Sequence, residues 1–248
     1  MSKGWFITGA SRGLGRIWAT AAAERGDNVV ATARDVATLA DLLVQYPDRL
    51  HALPLDVTDR EAAFAAVASA KEILGSLDVV VNNAGFGLFG VIEEVTEEQA
   101  RQQIETNVFG ALWVTQAALP IMREQRSGHL LQVSSIGGVH AFPGLGLYHA
   151  SKWALEGLSQ ALAAEVAAFG IHVTLIEPRV TPPTGRSVPR CAPRRTLHTP
   201  NCVSRSWPHE PRLSLTGATP RRPRPSSCSS WTWTTRRFGC SSARDRTR

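Results

Sequence analysis

Six short apolar runs divide residues 3–178: "GWFIT", "NVVATA", "LHALPLDV", "LDVVVNNAG", "HLLQVSS" and "IHVTLIEP". Among them lie Ala- and Leu-rich stretches with helical spacing, over 14–25, 36–44, 59–73, 97–123 and 151–168. Several runs are rich in Val, Ile and Leu without alternation, the pattern of strands covered on both faces. Strands of that kind joined by helices predict an α/β chain, a doubly wound parallel sheet with helices on both faces and right-handed crossovers. Ligands of such a sheet bind beyond the carboxyl ends of the strands, so the residues closing each run carry the functional expectation.

The pattern stops at Pro178. Residues 1–178 hold 12 Lys and Arg against 19 Asp and Glu; residues 179–248 hold 15 Arg, no Lys, and only Glu210 and Asp245. The formal net charge of +6 therefore describes neither part. Only seven of the last 70 residues are Ile, Leu, Val, Met or Phe, too few to offset chain entropy with a core. The expected organisation is a dinucleotide-binding catalytic domain over 1–178 and a basic, disordered tail over 179–248. Cys191, Cys202, Cys228 and Cys240 all fall in the tail, without CxxC spacing or histidines at zinc-binding intervals, which argues against a metal or disulfide framework. No run reaches the length of a membrane span and no leader pattern opens the chain, so a cytoplasmic protein is expected.

Three motifs sit at strand ends. "TGASRGLG", from Thr8 to Gly15, links the first strand to the first helix. Its glycines allow a tight turn and let phosphates approach backbone N–H groups at a helix N-terminus. A ligand-free glycine turn reads the same way from this motif alone. "NNAG", Asn82 to Gly85, closes the fourth strand with small residues suited to a backbone beside a cofactor, or to a plain strand-to-loop turn. "YHASK", Tyr148 to Lys152, opens a helix with its Tyr and Lys on one face. An ammonium near a phenol favours phenolate and brings the Tyr pKa toward values useful for proton transfer. A surface Tyr–Lys pair would have the same spacing.

Order and spacing single out one reading. Asn107 in "ETNVFG" precedes Tyr148 by 41 residues, and Ser135 in "VSSIGG" precedes it by 13. With the glycine turn, NNAG and YxxxK in this order, residues 3–178 resemble the short-chain dehydrogenase/reductase family, which has a Rossmann-type fold. The resemblance implies Tyr148 as general acid and base and Lys152 as the group that holds the nicotinamide ribose and lowers the Tyr148 pKa. It implies Ser135, with Ser134 its neighbouring alternative, as hydrogen-bond donor to the substrate oxygen. Asn107 would support a local helix distortion and a water chain to Lys152. Thr8, Gly9, Ser11, Arg12, Gly13, Leu14, Gly15, Arg34, Asp56, Val57, Asn83, Ala84, Gly85 and Pro178 would line the cofactor, together with Tyr148 and Lys152. Asp56 and Thr58 serve equally well as strand-end and helix-cap residues.

The choice of cofactor rests on charge. NAD-preferring folds carry an acid at the end of the second strand, and in "VVATARD" that position is Ala33, followed by Arg34. Arg12 adds a second guanidinium, and two such groups suit a 2′-phosphate, so NADP(H) is expected over NAD. Asp35 comes one residue late for the NAD role, and a simple Arg34–Asp35 pair is the plainer alternative. The expected activity is interconversion of a carbonyl and a secondary alcohol on a small-molecule substrate. A non-catalytic, dinucleotide-binding redox sensor is the second reading, and nucleic-acid binding through the tail ranks last. Trp5, Trp18, Trp113 and Trp153 are expected as core or interface aromatics, and His140 and His149, flanking the pocket, as structural or solvated side chains.

The tail departs from the family, which continues after Pro178 with a substrate-covering segment, a helix and a seventh strand. Codons for Arg, Pro, Ser and Thr dominate an out-of-frame reading of a GC-rich gene. Read one base earlier with suitable third bases, "WTWTTRRFGCSSA" (231–243) becomes "LDVDDPPLRVLLG", an acidic turn and an apolar strand. The tail is therefore expected to be a frameshift product, and a homo-oligomer is expected once the C-terminus is restored.

Overall fold

The strand runs divide their side chains between two cores. Phe6, Val30, Val80, Leu130 and Val173 point to one, while Ile7, Val29, Ala31, Val79, Val81 and Val133 point to the other. Both faces being covered, alternation in sequence gives way to continuous apolar runs. The structure, a computed structural model, describes residues 2–178 and the backbone of 235–237. Its strands are β1 (Gly4–Ile7), β2 (Asn28–Ala33), β3 (Leu50–Pro54), β4 (Val79–Asn82), β5 (Gly128–Val133) and β6 (Ile171–Ile176). All six are parallel, in the order β3-β2-β1-β4-β5-β6.

That order fixes the sides of the helices. Helices α1 (Gly13–Glu24) and α2 (Ala40–Gln45) pack on one face, through Ala19, Ala22, Ala23 and Leu42. Helices α3 (Arg60–Leu74), α5 (Gly110–Gln125) and α6 (Gly146–Val166) pack on the other, through Ala63, Val67, Val114, Ala118, Met122 and Val166. Right-handed crossovers running in opposite directions from the centre require this division. The direction reverses between β1 and β4, which opens a crevice at their carboxyl ends, and both the glycine turn and NNAG lie there.

Three boundaries differ from the sequence pattern. The stretch 36–44 is a short 3-10 turn (Val36–Leu39) followed by α2, because Asp35 accepts a hydrogen bond from Ala37 N and tightens the start. The stretch 97–123 is not one helix: α4 (Glu97–Ile104) and α5 flank a π-helical turn over Glu105–Phe109. Helix α6 begins at Gly146 rather than at 151, so Tyr148 lies within its first turn.

Of the segment after Pro178, the described part is a three-residue strand, β7 (Thr235–Arg237), antiparallel to β6 with Leu175 opposite Arg236. It gives partners to part of an edge that would otherwise present unpaired N–H and C=O groups. The rest of the expected tail, including its four cysteines and its reading as disordered, lies outside the described residues. Among the described residues no helix is long and apolar enough to cross a membrane, and no cluster of His, Cys, Asp or Glu is suited to a metal ion.

Candidate active site

Thr8, the first residue after β1, is buried and latches the glycine turn to the end of β4. Its hydroxyl donates to Val81 O and accepts from Asn83 N and Ala84 N, the latter two at 3.0 Å. Asn83 Nδ2 returns two bonds of 2.9 Å to Thr8 O and Gly9 O. The two loops thus behave as one frame across the crevice. Gly9 adopts φ +64°, and a Cβ there would lie 2.8 Å from Ala84 Cα. Gly15 packs against Asn83 Nδ2 so closely that any side chain would displace it.

The frame suits a dinucleotide on three grounds. Helix α1 starts without a side-chain cap at Arg12 and without an acid in its first turn, leaving its first N–H groups available to an anion. Gly13, φ +61°, faces open space where a side chain would stand. At the end of β2, Ala33 is buried and Arg34 exposed, and among the described residues neither Arg34 nor Arg12 forms an ion pair. Asp35 is engaged as the cap of the following turn rather than as the partner of Arg34. Ser11 and Leu14 are half-buried in the same turn.

The remaining expected cofactor residues divide between side chain and backbone. Asp56 is exposed past the end of β3 and accepts from Thr58 N at 3.0 Å and Thr58 Oγ1 at 2.8 Å, whereas the cap of α3 that was expected of Asp56 or Thr58 is Asp59, which accepts from Ala62 N. Val57 turns its side chain into the core against Gly110. Pro178 closes β6 and accepts from Ile136 N at 3.3 Å, which ties that strand end to the loop carrying Ser135.

The other half of the site gathers on β5 and α6. Lys152 is buried and donates to Val133 O, the last carbonyl of β5, at 2.6 Å. Burial pulls its pKa down to about 8, against the opposing attraction of Glu156 one helical turn away. Ser135, two residues past Val133, is buried and accepts from Gly137 N at 3.0 Å. Ser134 is also buried, and its hydroxyl lacks a hydrogen-bond partner among the described residues. Tyr148 is half-buried, with its ring edge in van der Waals range of a Cβ built on Gly87 and close to Gly137.

Asn107 connects the two halves from the π-helical turn. Its Oδ1 accepts from Phe86 N at 3.1 Å, and its Nδ2 donates to Phe86 O at 2.9 Å and Ser151 Oγ at 3.0 Å. Ser151 Oγ in turn donates to Tyr148 O at 2.7 Å. The loop after NNAG is thereby tied to the first turn of α6. Gly85 fits beneath this link, since a Cβ there would lie 3.0 Å from Asn107 Oδ1.

Sequence reading overlooked two members of this network. Gln103, fully buried, donates to Phe86 O and accepts from Leu88 N, and nothing in a polar helix start marks it. Ser151 was legible only as a residue three positions past Tyr148. His149, expected among structural or solvated side chains, is buried and bonded at both ring nitrogens, whereas His140 is exposed. Trp153 is 54% exposed in this chain, so it is not a core residue.

Comparison with known proteins agrees with this geometry. The family model described as short chain dehydrogenase matches residues 3–189. Oxidoreductase BOA17 of Botryotinia fuckeliana is 46% identical over 179 residues, covering 72% of this chain and 65% of that protein. The chain thus spans just under two thirds of that relative's length. A short-chain dehydrogenase from Streptomyces avermitilis matches in structure with a TM-score of 0.70 at 48% identity, covering 72% of this chain and 65% of that one. ElxO with NADP bound matches with a TM-score of 0.66 at 31% identity, covering 69% of this chain and 71% of that one. Matched over three quarters of its length, with the glycine turn, NNAG and the Tyr–Lys helix assembled around one crevice, this chain belongs to the short-chain dehydrogenase family.

Proposed function

We propose that the protein is an NADP(H)-dependent oxidoreductase that interconverts a carbonyl and a secondary alcohol. The observation that carries this reading is Lys152, a buried cation held at the end of β5 by Val133 O, two residues before Ser135 in sequence, with the i, i+4 spacing that puts it on one helix face with Tyr148. An ammonium with a lowered pKa exchanges protons readily near neutral pH and stabilises phenolate character nearby.

The bound dinucleotide supplies or accepts the hydride. The glycine turn, the N-terminus of α1 and the NNAG loop hold it, and Arg12 and Arg34 favour a 2′-phosphate over a free ribose hydroxyl. In the reducing direction Tyr148 gives its phenolic proton to the carbonyl oxygen. Ser135 donates a hydrogen bond to the same oxygen and stabilises the charge that develops there. Lys152 favours the phenolate left behind and passes a solvent proton back to it. The loops beside Tyr148 expose Phe86, Phe89, Ile92 and Phe142, which suits a carbonyl with apolar substituents. ElxO, similar in structure, carries NADP, which supports this choice of cofactor.

The test is steady-state reduction of a ketone panel with NADPH, alongside cofactor binding by fluorescence. Tyr148→Phe is expected to lower kcat by about 10²-fold or more, with a far smaller change in NADPH affinity. Retention of most of the turnover would remove Tyr148 from the mechanism, and cofactor binding with no turnover of any substrate would favour a sensor. NADPH is expected to bind at least about tenfold more tightly than NADH, given two guanidinium groups at one phosphate. Equal affinities would defeat the arginine argument.

A further inference from the structure

His149 follows Tyr148 on α6 and is 4% exposed. Both of its ring nitrogens are engaged by backbone. Nδ1 lies 2.9 Å from Gly137 O, and Phe142 N donates to Nε2 at 2.8 Å. A carbonyl can only accept and an amide N–H can only donate, so the ring is neutral with its proton on Nδ1. One imidazole therefore ties two points of the preceding loop to the helix that carries Tyr148.

Gly137 is also part of the Ser135 turn. Its N–H donates to Ser135 Oγ at 3.0 Å, so the serine and the imidazole hold the same residue from either side. A Cβ at Gly137 would lie 2.6 Å from His149 Nδ1 and 3.1 Å from Tyr148 Cε1. Only glycine allows turn, imidazole and phenol ring to approach this closely. Phe142, the second anchor, is 44% exposed, and its ring centroid is 5.6 Å from that of His149. The loop it belongs to is joined to the NNAG side by Gly90 N donating to Gly144 O at 2.9 Å.

We propose that His149 is a positioning residue with two separable actions: through Gly137 it fixes Ser135 relative to Tyr148, and through Phe142 it sets the apolar loop beside the substrate. The proposal rests on the roles assigned above to Ser135 and Tyr148. His149 itself touches no reacting atom. Its first action governs kcat, because small displacements of a donor to the reacting oxygen cost rate steeply. Its second governs KM, because it places contacts made equally in ground and transition states.

Three substitutions separate the actions in the full chain. His149→Phe keeps the ring shape and removes both bonds. His149→Asn keeps a donor near the Nδ1 position, for Gly137 O. His149→Gln carries an acceptor out toward the Nε2 position, for Phe142 N. Amide hydrogen exchange over 136–145, NADPH affinity, and kcat and KM for a reduced ketone are measured on each.

His149→Phe is expected to speed exchange over 136–145 by about tenfold or more, as a segment losing its ties opens more often. It should also lower kcat by about tenfold and raise KM several-fold, with NADPH affinity within about twofold of the parent. His149→Asn should recover kcat but not KM, and His149→Gln should recover KM but not kcat. A purely structural role would move kcat and KM together in all three. Unchanged exchange in His149→Phe, or a looser loop with kcat and KM intact, overturns the proposal. Should His149→Phe fail to fold, Gly137→Ala pushes the imidazole away from the other side; unaltered exchange and kcat in that variant overturn it equally. Absence of ketone turnover in the parent chain would count against the proposed function, while the exchange comparison would still decide for or against the tie.

Discussion

Lys152 couples the chemistry of the site to the stability of the fold. Burial lowers its pKa to about 8 from 10.5, with Glu156 acting in the opposite sense. Below about pH 8 the folded protein bears the full cost of an interior ammonium. Between about 8 and 10.5 the folded side chain is neutral while the unfolded chain still holds its proton, so the contribution of this residue to stability rises with pH. The span corresponds to a gain on the order of 3 kcal/mol, at about 1.4 kcal/mol per pKa unit. Lys152→Met lacks this term. Urea unfolding from pH 7 to 10.5 should therefore show the wild type gaining on the variant as pH rises. A flat difference would mean that attraction to Glu156 balances desolvation, and a falling one that it outweighs it.

At the scale of elements, the glycine turn shows why one motif mixes two kinds of requirement. Gly9 and Gly13 both have positive φ, but only Gly9 meets backbone where a Cβ would stand. Gly13→Ala should cost about 1 kcal/mol for the left-handed conformation alone. Gly9→Ala adds a clash with Ala84 that must part the β1 and β4 loops, so its loss of Tm and of NADPH affinity should be clearly the larger. Equal losses would show that the two loops move independently. The turn was legible in the sequence because a motif between a strand and a helix has few ways to fold. The Thr8–Asn83 latch was not, since it joins residues 75 positions apart. The π-helical turn at Asn107 was expected only as a helix distortion that the family resemblance implies, and residue spacing alone did not mark it. Its apolar spacing continues that of a helix, and what supports it is the backbone of Phe86, on another segment. The start of helix α6 was legible from the Tyr148–Lys152 motif, which was expected to open a helix; the structure begins it two residues earlier, at Gly146, which lies close against Ile92.

Over the whole molecule, the acidic part and the Arg-rich part obey different rules of composition. The family match ends at residue 189, shortly after the change at Pro178. Among the described residues, strand β7 pairs with three of the six residues of β6, Thr174 to Ile176. A sheet edge with uncovered backbone favours association with other chains, and an open site admits water that weakens interactions with developing charge. With suitable third bases, a one-base shift can convert residues 231–243 to "LDVDDPPLRVLLG", whose apolar end has the character of a buried strand. Resequencing the coding DNA across codons 175–185 is expected to find a missing or extra base. A chain expressed from the corrected frame should then remain soluble at higher concentration and turn over a ketone faster than the 248-residue chain. An intact frame, or equal solubility and turnover of the two chains, would instead establish the Arg-rich segment as a native part of a working enzyme, with the cover of the site to be sought within it.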